Sequence, residues 1–252
     1  MKKEIKFSLV YRDMFQSSGK FQPLAAQLEK IAPVIVQMGC FARVETNGGA
    51  FEQVNLMAGE NPNKAVRSFT KRYDTIINGL IVCGSPSRNP ATGAGRMLAR
   101  VIASIKGDRH RPSLIHKIAF ENFNSRFVSE GENAWLSTDR TIVKEYNDDP
   151  LCGYMFTANG FTGLFDLMLD TYSGKGWNVC NPSLPIHFIA GADDPCITSH
   201  KDFDKAVGHI RSVGYAKVTS RLYEGMRHEI LNETDRMTVW NDVIDTLDSW
   251  AE

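Results

Sequence analysis

The fold is decided by the stretch Leu184-Pro-Ile-His-Phe-Ile-Ala-Gly-Ala-Asp-Asp-Pro195. Its short apolar run ends in a glycine, two carboxylates and a proline, a pattern typical of a buried parallel strand that leads into an acidic loop. A second compact run, Asn78-Gly-Leu-Ile-Val-Cys-Gly84, is closed by Ser85-Pro86 and predicts another buried strand. Ala216–Tyr223 predicts a third strand, so the C-terminal half should contain a parallel sheet.

Predicted helices surround these strands. One helix ends at Gly214 and shows apolar residues at helical spacing, namely Phe203, Ala206, Val207 and Ile210. A final helix carries Met237, Trp240, Ile244 and Leu247 along one face. Residues 88 to about 175 hold several helical stretches, including Gly95–Ile105 and Pro112–Phe127, and few strand signals. Strands that alternate with helices on both sides of a helical insertion indicate an α/β protein with a mainly parallel sheet.

The sequence of the first quarter of the chain also predicts alternating strands and helices. Lys6–Tyr11 and Phe41–Glu45 are strand candidates, and a polar helix is predicted over Asn63–Tyr73. Between the two strands, apolar residues recur at helical spacing: Leu24, Leu28, Ile31 and Ile35. If both N-terminal strands joined those of the C-terminal half, the sheet would have about five strands.

Composition excludes several functional classes. The 252 residues carry 29 basic and 29 acidic side chains, so the chain has no net charge to attract nucleic acid or an anionic membrane. No run approaches the ~18 apolar residues of a membrane span, and the start Met1-Lys-Lys-Glu-Ile-Lys6 does not resemble a signal peptide. The five cysteines are irregularly spaced and are predicted to be reduced thiols in a cytoplasmic protein.

Acidic and imidazole side chains follow successive predicted strands. Asp193 and Asp194 come after the decisive strand, and Gly225-Met-Arg-His-Glu-Ile-Leu-Asn-Glu233 places His228 after the next one. In parallel sheets these loops meet at the same edge. An imidazole there can take a proton from a serine hydroxyl, and a carboxylate behind it fixes the tautomer. On this reasoning alone either Asp193 or Asp194 could be the carboxylate.

Residues from about 68 to 252 resemble the C-terminal part of bacterial α/β-hydrolases of the lysophospholipase and monoacylglycerol lipase group. The resemblance rests on Gly79-Leu-Ile-Val-Cys-Gly-Ser-Pro86, Asp149-Pro-Leu-Cys-Gly153, Gly191-Ala-Asp-Asp-Pro195 and Arg227-His-Glu-Ile-Leu-Asn-Glu233. It implies that residues 88–175 form a helical cap over an acyl site. It also implies a small-molecule acyl ester or lipid substrate, and no cofactor or metal.

The resemblance further implies roles for two residues. Asp194, rather than Asp193, would be the catalytic acid, and His228 would be the general base. The third member of such a triad is missing, because no Gly-x-Ser-x-Gly elbow occurs in the chain. The corresponding stretch, Met57-Ala-Gly-Glu-Asn-Pro-Asn-Lys-Ala-Val66, contains no serine. Ser85 and Ser87 are the candidates for a replacement nucleophile, although a Ser-Pro turn is the plainer interpretation.

Residues 1 to about 67 resemble a different family, the start of the carboxyltransferase barrel of pyruvate carboxylase and of oxaloacetate decarboxylase α-subunits. Tyr11-Arg-Asp-Met-Phe-Gln-Ser-Ser18, Val44-Glu-Thr-Asn-Gly-Gly-Ala-Phe-Glu52 and Gly59-Glu-Asn-Pro-Asn-Lys-Ala-Val-Arg67 carry that resemblance. It implies a βαβα fragment of TIM-barrel type. By the same resemblance Asp13 would bind a divalent metal, and Arg12 and Gln16 would hold a keto acid.

Together the two resemblances predict a chimera. A carboxyltransferase-like fragment, 1–67, would precede an incomplete α/β-hydrolase-like region, 68–252. None of the six histidines forms the His-x-His pair that the carboxyltransferase site also requires, so no metal site and no carboxyltransferase activity are expected. Ester hydrolysis is predicted by ancestry and predicted to be impaired by the missing elbow. The alternatives are a non-catalytic α/β protein that binds lipid without cleaving it, and a biotin-dependent carboxyltransferase fragment.

Overall fold

The computed structural model describes residues 7–10, 41–45, 74–75, 78–150 and 152–251. For the first two ranges only the backbone is described. The helices predicted around Leu24–Ile35 and over Asn63–Tyr73 lie outside these residues, and so do Arg12, Asp13 and Gln16.

Five strands occur among the described residues, and all their pairings are parallel. β1 (Phe7–Val10) pairs with β2 (Phe41–Glu45) in one sheet. β3 (Leu80–Cys83), β4 (Ile186–Gly191) and β5 (Val218–Tyr223) form a second sheet in the order β3-β4-β5. The predicted strands and their parallel arrangement are therefore confirmed.

The expected single sheet of about five strands is wrong for the part of the chain that the structure describes. β1 and β2 hydrogen-bond to each other, whereas β3 and β5 hydrogen-bond to the two edges of β4. A strand joins a sheet only by pairing its backbone with an edge. Within the described ranges no such pairing connects the two groups, which form a two-stranded and a three-stranded sheet there.

Six α-helices lie within the described residues. They are α1 (Thr92–Lys106), α2 (Ser113–Phe120), α3 (Arg140–Asp148), α4 (Ala158–Thr171), α5 (His200–Ser212) and α6 (Arg236–Ala251). The first four lie between β3 and β4, which confirms that residues 88–175 are mainly helical. Short 3₁₀ turns complete the connections, at Ser125–Glu130, Ala134–Leu136, Pro195–Ile197 and Ile230–Asn232.

The central strand β4 is buried on both faces, which explains its continuous apolar sequence. On one face Ile186 and Phe188 join a cluster with α5, through residues such as Phe203 and Val207. On the other face Ile189 packs with residues that include Val239 of α6. The helices α5 and α6 therefore cover opposite faces of the sheet.

One of the predicted helices is shorter than expected. The helix expected over Pro112–Phe127 ends at Phe120, and Phe127 itself has a non-helical backbone (φ −125°). Its ring lies under the guanidinium of Arg227, 3.9 Å from Cζ to the ring centroid. The predicted final helix is confirmed as α6; its apolar face is exposed at Met237, Trp240, Ile244 and Leu247, and Val239 is the residue it buries fully.

The helical insertion has its own core. Ala99 of α1, Ile115 of α2 and Phe161 of α4 are buried together, with several partly buried aromatic rings around them. Arg96 and Asp166 join α1 to α4 at the surface by an ion pair of 3.0 Å. Among the described residues, no helix is both long enough and apolar enough to cross a membrane.

We predict that Ile189→Ala lowers the free energy of unfolding by about 2–5 kcal/mol, because Ile189 is 1% exposed and its removal leaves a cavity in the sheet core. The matched control is Ile105→Ala, at a residue that is 76% exposed, which should change stability by no more than about 0.5 kcal/mol. Urea denaturation followed by circular dichroism measures both. Equal effects of the two substitutions would contradict this packing.

Candidate active site

Asp194 lies in the loop that follows β4, with its side chain fully buried. One carboxylate oxygen, Oδ1, accepts a hydrogen bond of 2.8 Å from the backbone N–H of Cys196, which caps the Pro195–Ile197 turn. A buried carboxylate needs such partners, because an unpaired charge in the protein interior is costly. The turn therefore fixes the position of Asp194 and leaves its second oxygen free to face another loop.

His228 supplies that second partner from the loop that follows β5. Its Nδ1 lies 3.0 Å from Oδ2 of Asp194, across 34 positions of the sequence. Its ring packs beside Trp135 of the helical insertion, with 5.2 Å between ring centroids, and its side chain is 29% exposed. Because Nδ1 faces Asp194, Nε2 is the ring nitrogen that can exchange a proton with a substrate.

The two loops approach closely because of Gly191, the last residue of β4. A Cβ added at this glycine would collide with the backbone carbonyl groups of Met226 and Arg227. Backbone hydrogen bonds also join the loops, from Asp193 N to Met226 O at 3.0 Å and from Ala192 N to Tyr223 O at 2.9 Å. Glycine is thus required for the acid loop to reach the histidine loop.

The residues alone did not decide whether Asp193 or Asp194 is the carboxylate behind His228, but the structure distinguishes the two. Asp193 points toward the surface, where its Oδ1 pairs with Nη2 of Arg126 at 2.5 Å. Asp194 is the carboxylate that contacts His228. The two expected site residues are therefore brought together, in the arrangement of the acid and base of a catalytic triad.

Around His228 lies a buried network of charged residues that was not predicted from the sequence. Arg227 is 7% exposed, and its guanidinium donates to the carbonyl groups of Ala134 and Ser137 and pairs with Glu130 at 2.8 Å. Glu233 is 1% exposed. The only sign of this network in the sequence is the group of charged residues in Arg227-His-Glu-Ile-Leu-Asn-Glu233. Their spacing does not show that they are buried.

Glu233 links the histidine loop to the helical insertion. Its Oε1 accepts from the backbone N–H of Arg227 at 2.7 Å. Its Oε2 accepts from the hydroxyl groups of Ser137 and Thr138 and from the backbone N–H of Thr138, the last at 2.9 Å. Hydrogen bonds to a carboxylate are stronger than neutral ones. The network therefore holds the backbone just before His228.

The candidate replacement nucleophiles have different environments. Ser87 is 2% exposed, and its hydroxyl donates to the carbonyl oxygen of Ile197 at 2.7 Å. Ser85 lines a cavity of about 160 Å³ beside the sheet, together with apolar residues such as Val82 and Trp177. The cavity lies against the α5 face of the sheet, and neither Asp194 nor His228 lines it.

The parallel sheet, the helical insertion after β3, and an acid and a histidine after successive strands define the α/β-hydrolase class. A family model described as "Serine aminopeptidase, S33" matches residues 64–235. The chain belongs to this hydrolase family. Residues 1–63 lie outside the match.

Solved structures of esterases and lipases share the fold. The structure of a highly thermostable carboxyl esterase from Bacillus coagulans aligns with a TM-score of 0.70 at 17% identity, over 93% of this chain and 76% of that one. A lipase in an open form aligns at 0.63 and 22% identity, over 86% and 77%. A monoacylglycerol lipase from Paleococcus ferrophilus aligns at 0.55 and 15% identity, over 90% and 76%. These matches give no support to a TIM-barrel fragment.

We predict that Glu233→Ala lowers the free energy of unfolding by about 3 kcal/mol, because the buried N–H groups of Arg227 and Thr138 lose their acceptor. Glu224→Ala, at an exposed glutamate, is the matched control and should have little effect. Denaturant unfolding measures both variants. A stable Glu233→Ala protein with unchanged His228 chemical shifts would show that the network does not hold the loop.

A second prediction concerns Cys83, at the end of β3. Cys83 is an exposed residue, but desolvation around its sulfur, and secondarily the charge of Asp194, raise the pKa of its thiol to about 11. Since the thiolate is the reactive form, alkylation of Cys83 by iodoacetamide should be slow at neutral pH and should rise until about pH 11. Pulsed alkylation with peptide mapping gives the profile. The urea-unfolded protein is the control, and the same midpoint in both states would contradict the prediction.

Proposed function

We propose that this protein derives from carboxylic ester hydrolases that act on lysophospholipid- or monoacylglycerol-type substrates, with Asp194 as the acid and His228 as the general base. The observation that carries the proposal is the contact of 3.0 Å between Nδ1 of His228 and the fully buried carboxylate of Asp194. The likeness to a carboxyl esterase and a monoacylglycerol lipase supports the ester class of substrate.

In each half of the proposed ester hydrolysis, His228 and Asp194 together transfer one proton. Nε2 of His228 takes the proton of an attacking hydroxyl group and returns it to the leaving alkoxide. Asp194 holds the imidazole in the tautomer that leaves Nε2 unprotonated, and it stabilises the imidazolium that forms. Residues 68–252 would form the hydrolase region, with 88–175 as the cap over the acyl chain.

We also propose that ester hydrolysis is impaired in this protein. The triad order requires a nucleophile before the acid, and no Gly-x-Ser-x-Gly occurs in the sequence. Ser87 is already engaged with the carbonyl oxygen of Ile197 and is buried, which argues against its recruitment. Ser85 is less buried and is the better remaining candidate. Without an activated nucleophile, the acid and base alone retain little catalysis.

The missing elbow specifically favours a second candidate function. This is a non-catalytic α/β protein of chimeric origin, whose residues 1–67 are a carboxyltransferase-like fragment and whose cap region binds lipid without cleaving it. Activity as a biotin-dependent carboxyltransferase fragment would depend on Arg12, Asp13 and Gln16. The sequence lacks the His-x-His pair of that site, which argues against this activity.

Labelling with a fluorophosphonate tests the function, because this probe reacts with an activated serine whatever the substrate. We expect no stoichiometric adduct on the folded protein. Peptide mapping would identify the serine if one formed.

The controls are His228→Ala and His200→Ala, the latter at a histidine that instead contacts the carbonyl oxygen of Ala192. Stoichiometric labelling of one serine that is lost in His228→Ala and kept in His200→Ala would overturn the impairment and establish a working hydrolase. Absence of labelling would leave the non-catalytic candidate.

A further inference from the structure

Three metal-ligating side chains of different chemistry converge beside the sheet. Asp194, Cys196 and His228 each offer one ligand atom, and these atoms all lie within 4.8 Å of one another. Asp194 and Cys196 belong to the loop after β4, and His228 comes from the loop after β5. This group is the one set of at least three His, Cys, Asp or Glu ligands with that spacing among the described residues.

The chemistry of the three ligands selects the metal. A thiolate, an imidazole and a carboxylate together suit Zn²⁺, whereas Mg²⁺ and Ca²⁺ prefer ligand sets made of oxygen. Zinc bonds of about 2.0–2.3 Å place the ligand atoms of a tetrahedral site about 3.3–3.8 Å apart. The present spacing of up to 4.8 Å exceeds this value by about 1 Å, so zinc binding would require the side chains to move closer by about that distance.

Charge and access also suit zinc. Asp194 offers a carboxyl group in a fully buried side chain. A bound Zn²⁺ deprotonates a thiol ligand, so the carboxylate and the thiolate would together balance the charge of the metal. His228 is 29% exposed and forms the side of the cluster that water can reach. Three protein ligands with an accessible fourth position are the arrangement of open zinc sites.

We propose that Asp194, Cys196 and His228 form a binding site for Zn²⁺, with a water molecule or a small anion as the fourth ligand. The site uses residues of the candidate acid–base pair but does not depend on hydrolytic activity. Nδ1 of His228, which faces Asp194, cannot hold a proton and a zinc ion together. Zinc binding therefore replaces the contact between Asp194 and His228, and it removes the base that a hydrolase would need.

Binding is tested on the full chain with Co²⁺ as a spectroscopic probe and with Zn²⁺ in competition against a chromophoric chelator. We expect one metal ion per chain, with a thiolate-to-cobalt charge-transfer band and the intense visible bands of tetrahedral cobalt. Added Zn²⁺ should abolish both. Because binding displaces protons from the ligands, the apparent affinity should rise with pH.

The variants Cys196→Ser and His228→Gln test whether these two residues bind the metal directly or only lie near it. Each should weaken Zn²⁺ binding by more than the roughly 10–100-fold that changes outside the ligand shell cause. Cys196→Ser should also abolish the charge-transfer band. The matched control is Cys83→Ser, which removes a nearby thiol that lies outside the cluster. It should bind metal like the parent protein.

Two results would overturn the proposal. One is the absence of cobalt or zinc binding by protein whose circular dichroism shows a cooperative thermal transition. The other is a charge-transfer band that survives Cys196→Ser or disappears in Cys83→Ser. If Cys196→Ser does not fold, His228→Gln alone decides, because its ring is partly exposed and unchanged cobalt spectra in that variant would exclude the site. Fluorophosphonate labelling of protein freed of metal by a chelator tests the proposed function separately, because no zinc then occupies His228.

Discussion

The site depends on one buried carboxylate, that of Glu233. Its oxygens accept hydrogen bonds from the backbone of Arg227 on one side and of Thr138 on the other, at 2.7 and 2.9 Å. Because a buried carboxylate is tolerated only when its oxygens are satisfied, the histidine loop and the helical insertion have to keep this mutual position. His228 directly follows one of the two anchored residues, and the position of its ring follows from the same constraint.

The sheet provides the other half of the site. β4 is buried on both faces, so the place where it ends is well determined, and Asp194 follows three residues after its end. Gly191 allows the backbone of the next loop to approach more closely than any side chain would permit. The acid is thus positioned by the sheet and the base by the insertion. Their contact of 3.0 Å joins the two parts of the molecule.

The same pair of side chains can support two kinds of chemistry that exclude each other. With a proton on Nδ1 facing Asp194, His228 can act as a general base through Nε2, but this chemistry requires a nucleophile that the sequence does not contain in its usual form. A zinc ion between them uses the neighbouring thiol of Cys196 and needs no serine. Under the proposed function, the absence of a Gly-x-Ser-x-Gly elbow would prevent hydrolysis and would leave the geometry of the site in place.

The sequence by itself determined the parallel strands, the helical insertion, and the order of Asp194 and His228, because hydrophobic runs and loop residues are local signals. Only the tertiary structure decided that Asp194 and not Asp193 contacts His228, that Glu233 is buried, and that Cys196 lies within 4.8 Å of both site residues. These facts depend on how loops far apart in sequence pack together. No periodicity in the chain encodes that packing.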